Sequence, residues 1–252
     1  MGSCDEPFVP GAVERGPAAI VERHDSGTDR DRVVSVVLAG HRGDAATVRS
    51  GLQDPDPGVR SAAVAASLRL AATRIDTIAA ATADVLVALR DDDASVRRRA
   101  AVVAARLGSL DAAVTPRIPE LADALVALLT DADDRVVEVA AFACGELPLD
   151  DEPATRGRVV VALCATATDH EDRLCRESAV ASLGSIGDPA ALPAVLHACE
   201  DRGNVRRRAV LALAAFDDPA ATDALERLTG DRDLQVRQAA EELLAIESGE
   251  AT

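Results

Sequence analysis

Apolar residues recur along this chain at helical spacing, in blocks separated by short acidic turns. Six blocks begin alike, with a polar turn, then Val-Arg or a close variant, then an alanine-rich run. The anchors of these blocks are Val59, Val96, Val136, Leu174, Val205 and Val236. Counted from the anchor, positions 0, +4, +7, +8 and +11 read Val96, Ala100, Val103, Ala104 and Leu107 in the second block. The same positions read Val136, Ala140, Ala143, Cys144 and Leu147 in the third, and Val205, Ala209, Ala212, Leu213 and Phe216 in the fifth. This is the stripe of an amphipathic helix and not the alternation of a strand. A further apolar run precedes each block, so the pattern predicts six helix pairs. The first helices fall over roughly 44–52, 75–90, 116–130, 154–168, 189–200 and 219–229, and the second over 57–71, 94–108, 134–147, 172–184, 203–216 and 234–246.

Successive anchors lie 37, 40, 38, 31 and 31 residues apart. A repeat of this length is one supersecondary unit that cannot bury its apolar face alone, so the units must stack. The expected fold is all-α, a right-handed solenoid of about six helix pairs. A short helix over Asp29–Gly40 (Val33, Val34, Val37, Leu38) is expected to cap its N-terminal end. Residues 1–28, with Pro7, Pro10 and Pro17 and no sustained period, read as a flexible tail; 29–247 form the array, and 248–252 a C-terminal tail.

The turns carry the signals that start helices. Asp56, Asp188 and Asp218 each precede a proline. Asp accepts hydrogen bonds from the unpaired amides of a first turn, and proline is tolerated at the first helical position, where its missing N–H had no partner. Asp93-Ala-Ser-Val-Arg-Arg-Arg-Ala-Ala and Gly187-Asp-Pro-Ala-Ala-Leu-Pro-Ala-Val-Leu resemble HEAT repeats, and the 31-residue spacing near the C-terminus is most similar to the HEAT-like repeats of the phycobilisome lyases. The resemblance covers about residues 30–247. It implies a ladder of turn Asp and post-anchor Arg between neighbouring repeats: Asp56 with Arg60, Asp93 with Arg97, Asp233 with Arg237, and Arg206 in the fifth repeat. Val137 and Cys175 stand at the Arg position of repeats three and four, so the ladder is expected to break there.

Composition narrows the reading. The 252 residues are 48% apolar but hold three Phe and no Trp or Tyr, so the core must be Ala, Val and Leu. The net charge is −16, and the basic residues are all Arg, with no Lys. That surface resembles the proteins of salt-accumulating haloarchaea; a high-GC genome is the competing explanation. Five cysteines (Cys4, Cys144, Cys164, Cys175, Cys199) in a chain of this kind do not suggest a disulfide framework. With no apolar run near the length of a membrane span and no signal-peptide pattern at the N-terminus, the expected location is cytoplasmic, off the membrane.

Candidate chemistry is sparse. His170-Glu171 is one His-Glu pair, where the HEAT-type deoxyhypusine hydroxylases use several to hold iron, and iron needs several convergent ligands. Cys164, Cys175, Cys199 and His197 cluster in repeats four and five, but their spacing matches no Cys-x-x-Cys zinc pattern. No nucleophile motif or phosphate-binding glycine loop is present, and nothing requires a cofactor. Nucleic acid needs a basic stripe and stacking aromatics, which a −16 chain without Trp or Tyr lacks. The expectation is a non-catalytic scaffold or adaptor holding another protein, of unknown identity, on its concave face. That face is expected from residues at one common offset: Ser61, Arg98, Glu138, Arg176, Arg207 and Gln238. The alternatives are a lyase-like or hydroxylase-like enzyme or enzyme subunit, and a nucleic-acid binder.

Overall fold

The computed structural model describes residues 26–73, 77–108, 110 and 117–247. Most of the tail expected over 1–28, and the tail expected over 248–252, lie outside the described residues. Every regular element among those described is helical. A leading helix, α1 (Ser26–Arg42), precedes six pairs: α2 (Ala45–Gly51) with α3 (Pro57–Thr73), α4 (Ile78–Ala88) with α5 (Ala94–Gly108), and α6 (Ile118–Leu128) with α7 (Asp134–Gly145). The others are α8 (Pro153–Asp169) with α9 (Arg173–Ile186), α10 (Leu192–Ala198) with α11 (Gly203–Leu213), and α12 (Pro219–Leu228) with α13 (Leu234–Glu247). A 3-10 turn, Pro189–Ala191, leads into α10.

The second helices stack in series, each packed along the next from α3 to α13, and the leading α1 packs on α3 in the same way. The cap is thus a layer of the same stack. The first helices touch one another more sparsely along the other side. Between the two layers runs a core of alanine, valine and leucine, with Leu107, Leu121, Leu125, Leu163, Leu183, Leu213 and Leu225 at 0% exposure. Burying each leucine stabilises by roughly 1.5–3 kcal/mol relative to leaving it in water.

The fourth anchor is corrected by burial. Leu174 is 44% exposed, whereas Cys175 is at 0%, like Val136, Val205 and Val236. With Cys175 as anchor the spacings become 37, 40, 39, 30 and 31. The +4 position is then alanine in all six repeats: Ala63, Ala100, Ala140, Ala179, Ala209 and Ala240, each at 0% exposure. Small residues at these positions let the second helices approach backbone to backbone. At Gly184 on α9 a methyl group would meet Ala212 on α11 at 2.7 Å from Cβ and 2.8 Å from Cα, so only glycine fits.

Five arginine forks tie the layers. Arg60 donates through Nε and Nη2 to both carboxylate oxygens of Asp91 in the next repeat's turn, at 2.8 and 2.8 Å. Its Nη1 donates to the carbonyls of Asp54 and Pro55 in its own turn. Arg97 repeats this with Asp131 (2.7 and 2.8 Å) and the carbonyls of Asp91 and Asp92. Arg176 pairs with Asp201, Arg206 with Asp231, and, ahead of them all, Arg32 with Asp54. Most of these aspartates also accept the N–H two residues on, as Asp91 does from Asp93 at 2.9 Å.

Two expectations change here. The ladder partner of each arginine lies in the following repeat; Asp56, Asp93 and Asp233 instead cap the second helices, accepting from the amides of Val59, Ser95 and Gln235. Arg176 belongs to the ladder and not to the partner-binding face, so the ladder is unbroken at repeat four.

Burial pushes the carboxyls of Asp54, Asp91 and Asp231 up, but hydrogen bonds from the arginines and turn amides outweigh it and hold them below the ordinary value. In Asp131 and Asp201 the arginine hydrogen bond is the largest influence, in the same direction. Their contribution is therefore complete above the ordinary aspartate value, about 3.9, and is lost as pH falls through the lowered one.

The third joint is built differently. Val137, at 0% exposure, stands where the arginine would be. His170 stands where the aspartate would be, its Nδ1 accepting the Asp172 N–H at 3.1 Å. In place of a fork, one face of α9 donates a row of hydrogen bonds to carbonyls of α7: Cys175 Sγ to Asp134 (3.2 Å), Ser178 to Glu138 (2.8 Å), Ser182 to Ala141 (2.8 Å) and Ser185 to Gly145 (3.2 Å). The donors lie three or four residues apart, or seven across two steps, which keeps them on one helix face.

Gly184→Ala gains about 1 kcal/mol of helix propensity but forces α9 and α11 apart. The clash prevails, and a thermal melt shows a Tm lowered by about 2–4 °C or more; a raised Tm would show that the helices do not meet there. Val137→Arg and His170→Asp each destabilise alone and recover together. A double-mutant cycle in urea gives a favourable coupling of about 1 kcal/mol or more, and strict additivity would refute the assignment of these positions to a vacant ladder slot.

Candidate functional site

The second-helix layer turns a continuous face to solvent. Ser61, Glu138 and Arg207 lie on it half-buried, and Arg98 and Gln238 exposed. At the fourth repeat the common offset belongs to Glu177, since Arg176 is held in the ladder. Two apolar side chains missed by the sequence reading stand on the same face, Phe142 at 49% and Leu211 at 52% exposure. Both are at +6 from their anchors, with Val102 at that offset in repeat two. The signal was the unpaired apolar residue one turn beyond the polar offset, which the core stripe does not need.

The two arginine triplets, alike in sequence, are used differently. In repeat five all three are engaged: Arg206 in the ladder, Arg207 donating to Gln235 and to the Gly203 carbonyl, and Arg208 3.7 Å from Glu177. In repeat two Arg97 is in the ladder, while Arg98 and Arg99 are exposed and form no ion pair among the described residues. Arg98, Val102 and Arg106 follow one another at four-residue steps on α5, and Glu138 and Phe142 do the same on α7, with Glu146 next at its C-cap. Such steps place each trio on one face, about 6 Å between members. On α3 beside them, Arg69 has an Nη1 that is buried without a hydrogen-bond partner.

Cys144, Cys175 and Cys199 are buried packing residues. Burial pushes the thiols of Cys144 and Cys175 up to about 12, the latter helped by Asp172, Asp134 and Glu138, and that of Cys199 to about 11. Thiols so shifted stay protonated at neutral pH, and the thiolate is the form that attacks or ligates. Cys199 donates to the Val195 carbonyl of its own helix. Among the described residues no three His, Cys, Asp or Glu stand together as a metal site. His170 is the vacant-ladder residue of the third joint, and His24 and Cys4 lie outside the described residues.

On the other side of the stack, the short α2 leaves a crevice of about 210 Å³ beside α4, lined by Arg49, Leu52, Val64 and Asp84. Burial raises the Asp84 carboxyl above its ordinary value, against the hydrogen bond from Ser67 (3.3 Å) and the charge of Arg49. A raised carboxyl disfavours the folded state at neutral pH, and the penalty fades as pH falls through the raised value. Asp84→Asn, which keeps an acceptor for Ser67, therefore raises Tm at pH 7 by about 1–3 °C and leaves it unchanged near pH 3. A lower Tm at pH 7 would show that the carboxylate is a stabilising partner.

Comparison with known proteins places the architecture. Residues 160–245 match the family described as HEAT repeats, and residues 65–156 match the family described as non-SMC mitotic condensation complex subunit 1. No curated protein matches the chain in sequence. Similar solved structures include an engineered protein, 22% identical with a TM-score of 0.59 over 86% of this chain and 99% of that one. A designed armadillo repeat protein in complex with the peptide (KR)4 is 20% identical, with a TM-score of 0.58 over 78% and 96%. Computationally designed armadillo repeat proteins for modular peptide recognition are 20% identical, with a TM-score of 0.56 over 78% and 97%. This likeness is one of fold: the chain is an α-solenoid of the HEAT and armadillo type, with HEAT repeats matched over its C-terminal part.

Proposed function

We propose that this protein is a non-catalytic scaffold that holds a partner protein along the face formed by its second helices. The observation that carries the reading is the continuous exposed surface of α3, α5, α7, α9, α11 and α13, on which charged and apolar side chains recur at fixed offsets. A solenoid presents such a surface without a fold of its own to protect. The more closely packed layer of a curved stack is its inner one, so we take this face as concave. Repeat solenoids with similar structures include designed peptide binders. Cys144 and Cys175 are buried in the core, where they serve as packing residues. Membership of the phycobilisome-lyase type of HEAT-like repeat, a haloarchaeal source and a cytoplasmic location belong to the same reading. They rest on the repeat spacing, the acidic lysine-free composition, and the fact that no described helix is long and apolar enough to cross a membrane.

A photo-crosslinking amino acid placed at Phe142, on the second-helix face, captures the partner in cells. The same group at Val161, 71% exposed on the first-helix layer, does not. The captured protein, identified by mass spectrometry and purified, rebinds to the wild-type chain in vitro. Capture from residue 161 alone, or rebinding that survives a bulky block at residue 142, would refute the assignment of the face.

A further inference from the structure

The charges on α5 and α7 are of opposite sign and in register. Arg98 and Glu138 share the +2 offset, Arg106 and Glu146 share +10, and Val102 and Phe142 share +6 between them. With Arg99 at +3 and Arg69 on α3, the arginine side of this seat extends over two helices, and the glutamate side begins at the next. The basic side is available: Arg98, Arg99 and Arg106 are exposed and have no ion-pair partner among the described residues, and the half-buried Arg69 lies at the same +10 offset as Arg106 on the neighbouring α3. The equivalent arginines of repeat five are already engaged by Glu177 and Gln235. The polarity is thus a property of one place, the junction of repeats two and three, on a chain whose net charge of −16 would otherwise favour basic ligands throughout.

From this juxtaposition we infer that the groove at repeats two and three takes an extended protein segment of divided charge. The segment is acidic where it crosses α3 and α5, apolar over Val102 and Phe142, and basic where it crosses α7. The inference rests on the protein-scaffold reading and adds to it the chemistry and polarity of the occupant. Neighbouring helices lie about 8–10 Å apart, and an extended chain rises about 3.3 Å per residue, so about three residues span each layer. Side chains alternate along an extended chain, so one set enters the apolar row while the other reaches the charged rows about 6 Å to either side. Carboxylates that reach Arg98, Arg99 or Arg106 meet a planar fork suited to bidentate pairing. A uniformly basic segment meets these arginines, and a uniformly acidic one meets Glu138 and Glu146; each is penalised on half of the seat.

The test uses fluorescein-labelled twelve-residue peptides and the full chain, read by anisotropy at 0.15 M and 0.5 M salt. Two peptides carry a glutamate-leucine block joined to a lysine-leucine block, one in each chain direction. A third has the same composition with the charges interspersed, and a fourth is all lysine and leucine. One of the two block peptides binds at least fivefold more tightly than the interspersed and all-lysine peptides. Arg98→Glu with Arg99→Glu removes that preference, whereas Arg158→Glu, on the first-helix layer, does not. Exchanging the charges of the two trios (Arg98→Glu, Arg106→Glu, Glu138→Arg, Glu146→Arg) transfers the preference to the block peptide of opposite direction, with a thermal melt confirming that each variant folds. Equal binding of the interspersed peptide, tighter binding of the all-lysine peptide, no binding of any peptide, or displacement by an oligothymidine overturns the inference. Where a protein is still captured from residue 142, these outcomes leave the scaffold reading standing and remove only the divided charge of its ligand.

Discussion

A single arginine at the start of α3, α5, α9 and α11 does two jobs at once, and the stack depends on it. In Arg60, Nη1 closes the turn that precedes its own helix by donating to two carbonyls of that turn, and Nε with Nη2 grips the carboxylate of the next turn. Local structure and layer-to-layer registry are fixed by the same planar group, which a lysine could not do, having no fork. The pairs are only partly exposed, at 18% and 15% for Arg60 and Asp91 and at 6% and 12% for Arg206 and Asp231. Their worth therefore exceeds that of a freely solvated ion pair, whose typical contribution is about 0–1 kcal/mol. Because each aspartate also accepts an amide in its own turn, the contact links two ordered turns and not two mobile side chains.

The forks can reach only because the helices are close. Alanine at +4 of every second helix and glycine at Gly184 reduce the spacer between layers to little more than backbone. This is the physical meaning of a chain with almost no aromatic residues: large side chains would widen the layers beyond the reach of the arginine. On the solvent side of the second helices no neighbouring layer limits side-chain size, and Phe142 and Leu211 stand there.

Much of this was legible in the sequence. Helix pairs, turn caps and core stripe follow from residue types and a period near that of one helical turn. The ladder was legible only by half. The arginine positions follow from the anchor, but which of several turn aspartates each one reaches depends on how far the chain advances between layers. Asp54, Asp91 and Asp131, two residues before the helix caps, are the partners. The misplaced fourth anchor came from choosing the bulkier residue, Leu174, over Cys175; the alanine at +4, Ala179 after correction, held the answer. The replacement of fork by zipper at the third joint was not legible, because three serines on a helix read as solvated until α7 is laid beside them. Of the face, the offset of Ser61, Arg98, Glu138, Arg207 and Gln238 follows from the repeat, but its apolar row at +6 does not, because Phe142, Leu211 and Val102 recur in only three of the six repeats.

The zipper also gives the molecule a joint of a different electrical character. Every arginine fork is a contact between full charges, so acid removes it by protonating the carboxylate, and concentrated salt weakens it by screening. The hydroxyl and thiol rungs between α7 and α9 carry no net charge and are indifferent to both. Changes of ionic surroundings therefore act on the forked joints more directly than on this row of hydrogen bonds, beside which His170 lies 4.0 Å from Asp134. Phe142 stands on α7, on the helix that this joint holds. The helix that carries the apolar centre of the exposed face thus has an uncharged row of bonds on its α9 side and a charged fork, Arg97 with Asp131, on its α5 side, so acid or salt loosens it from one neighbour before the other.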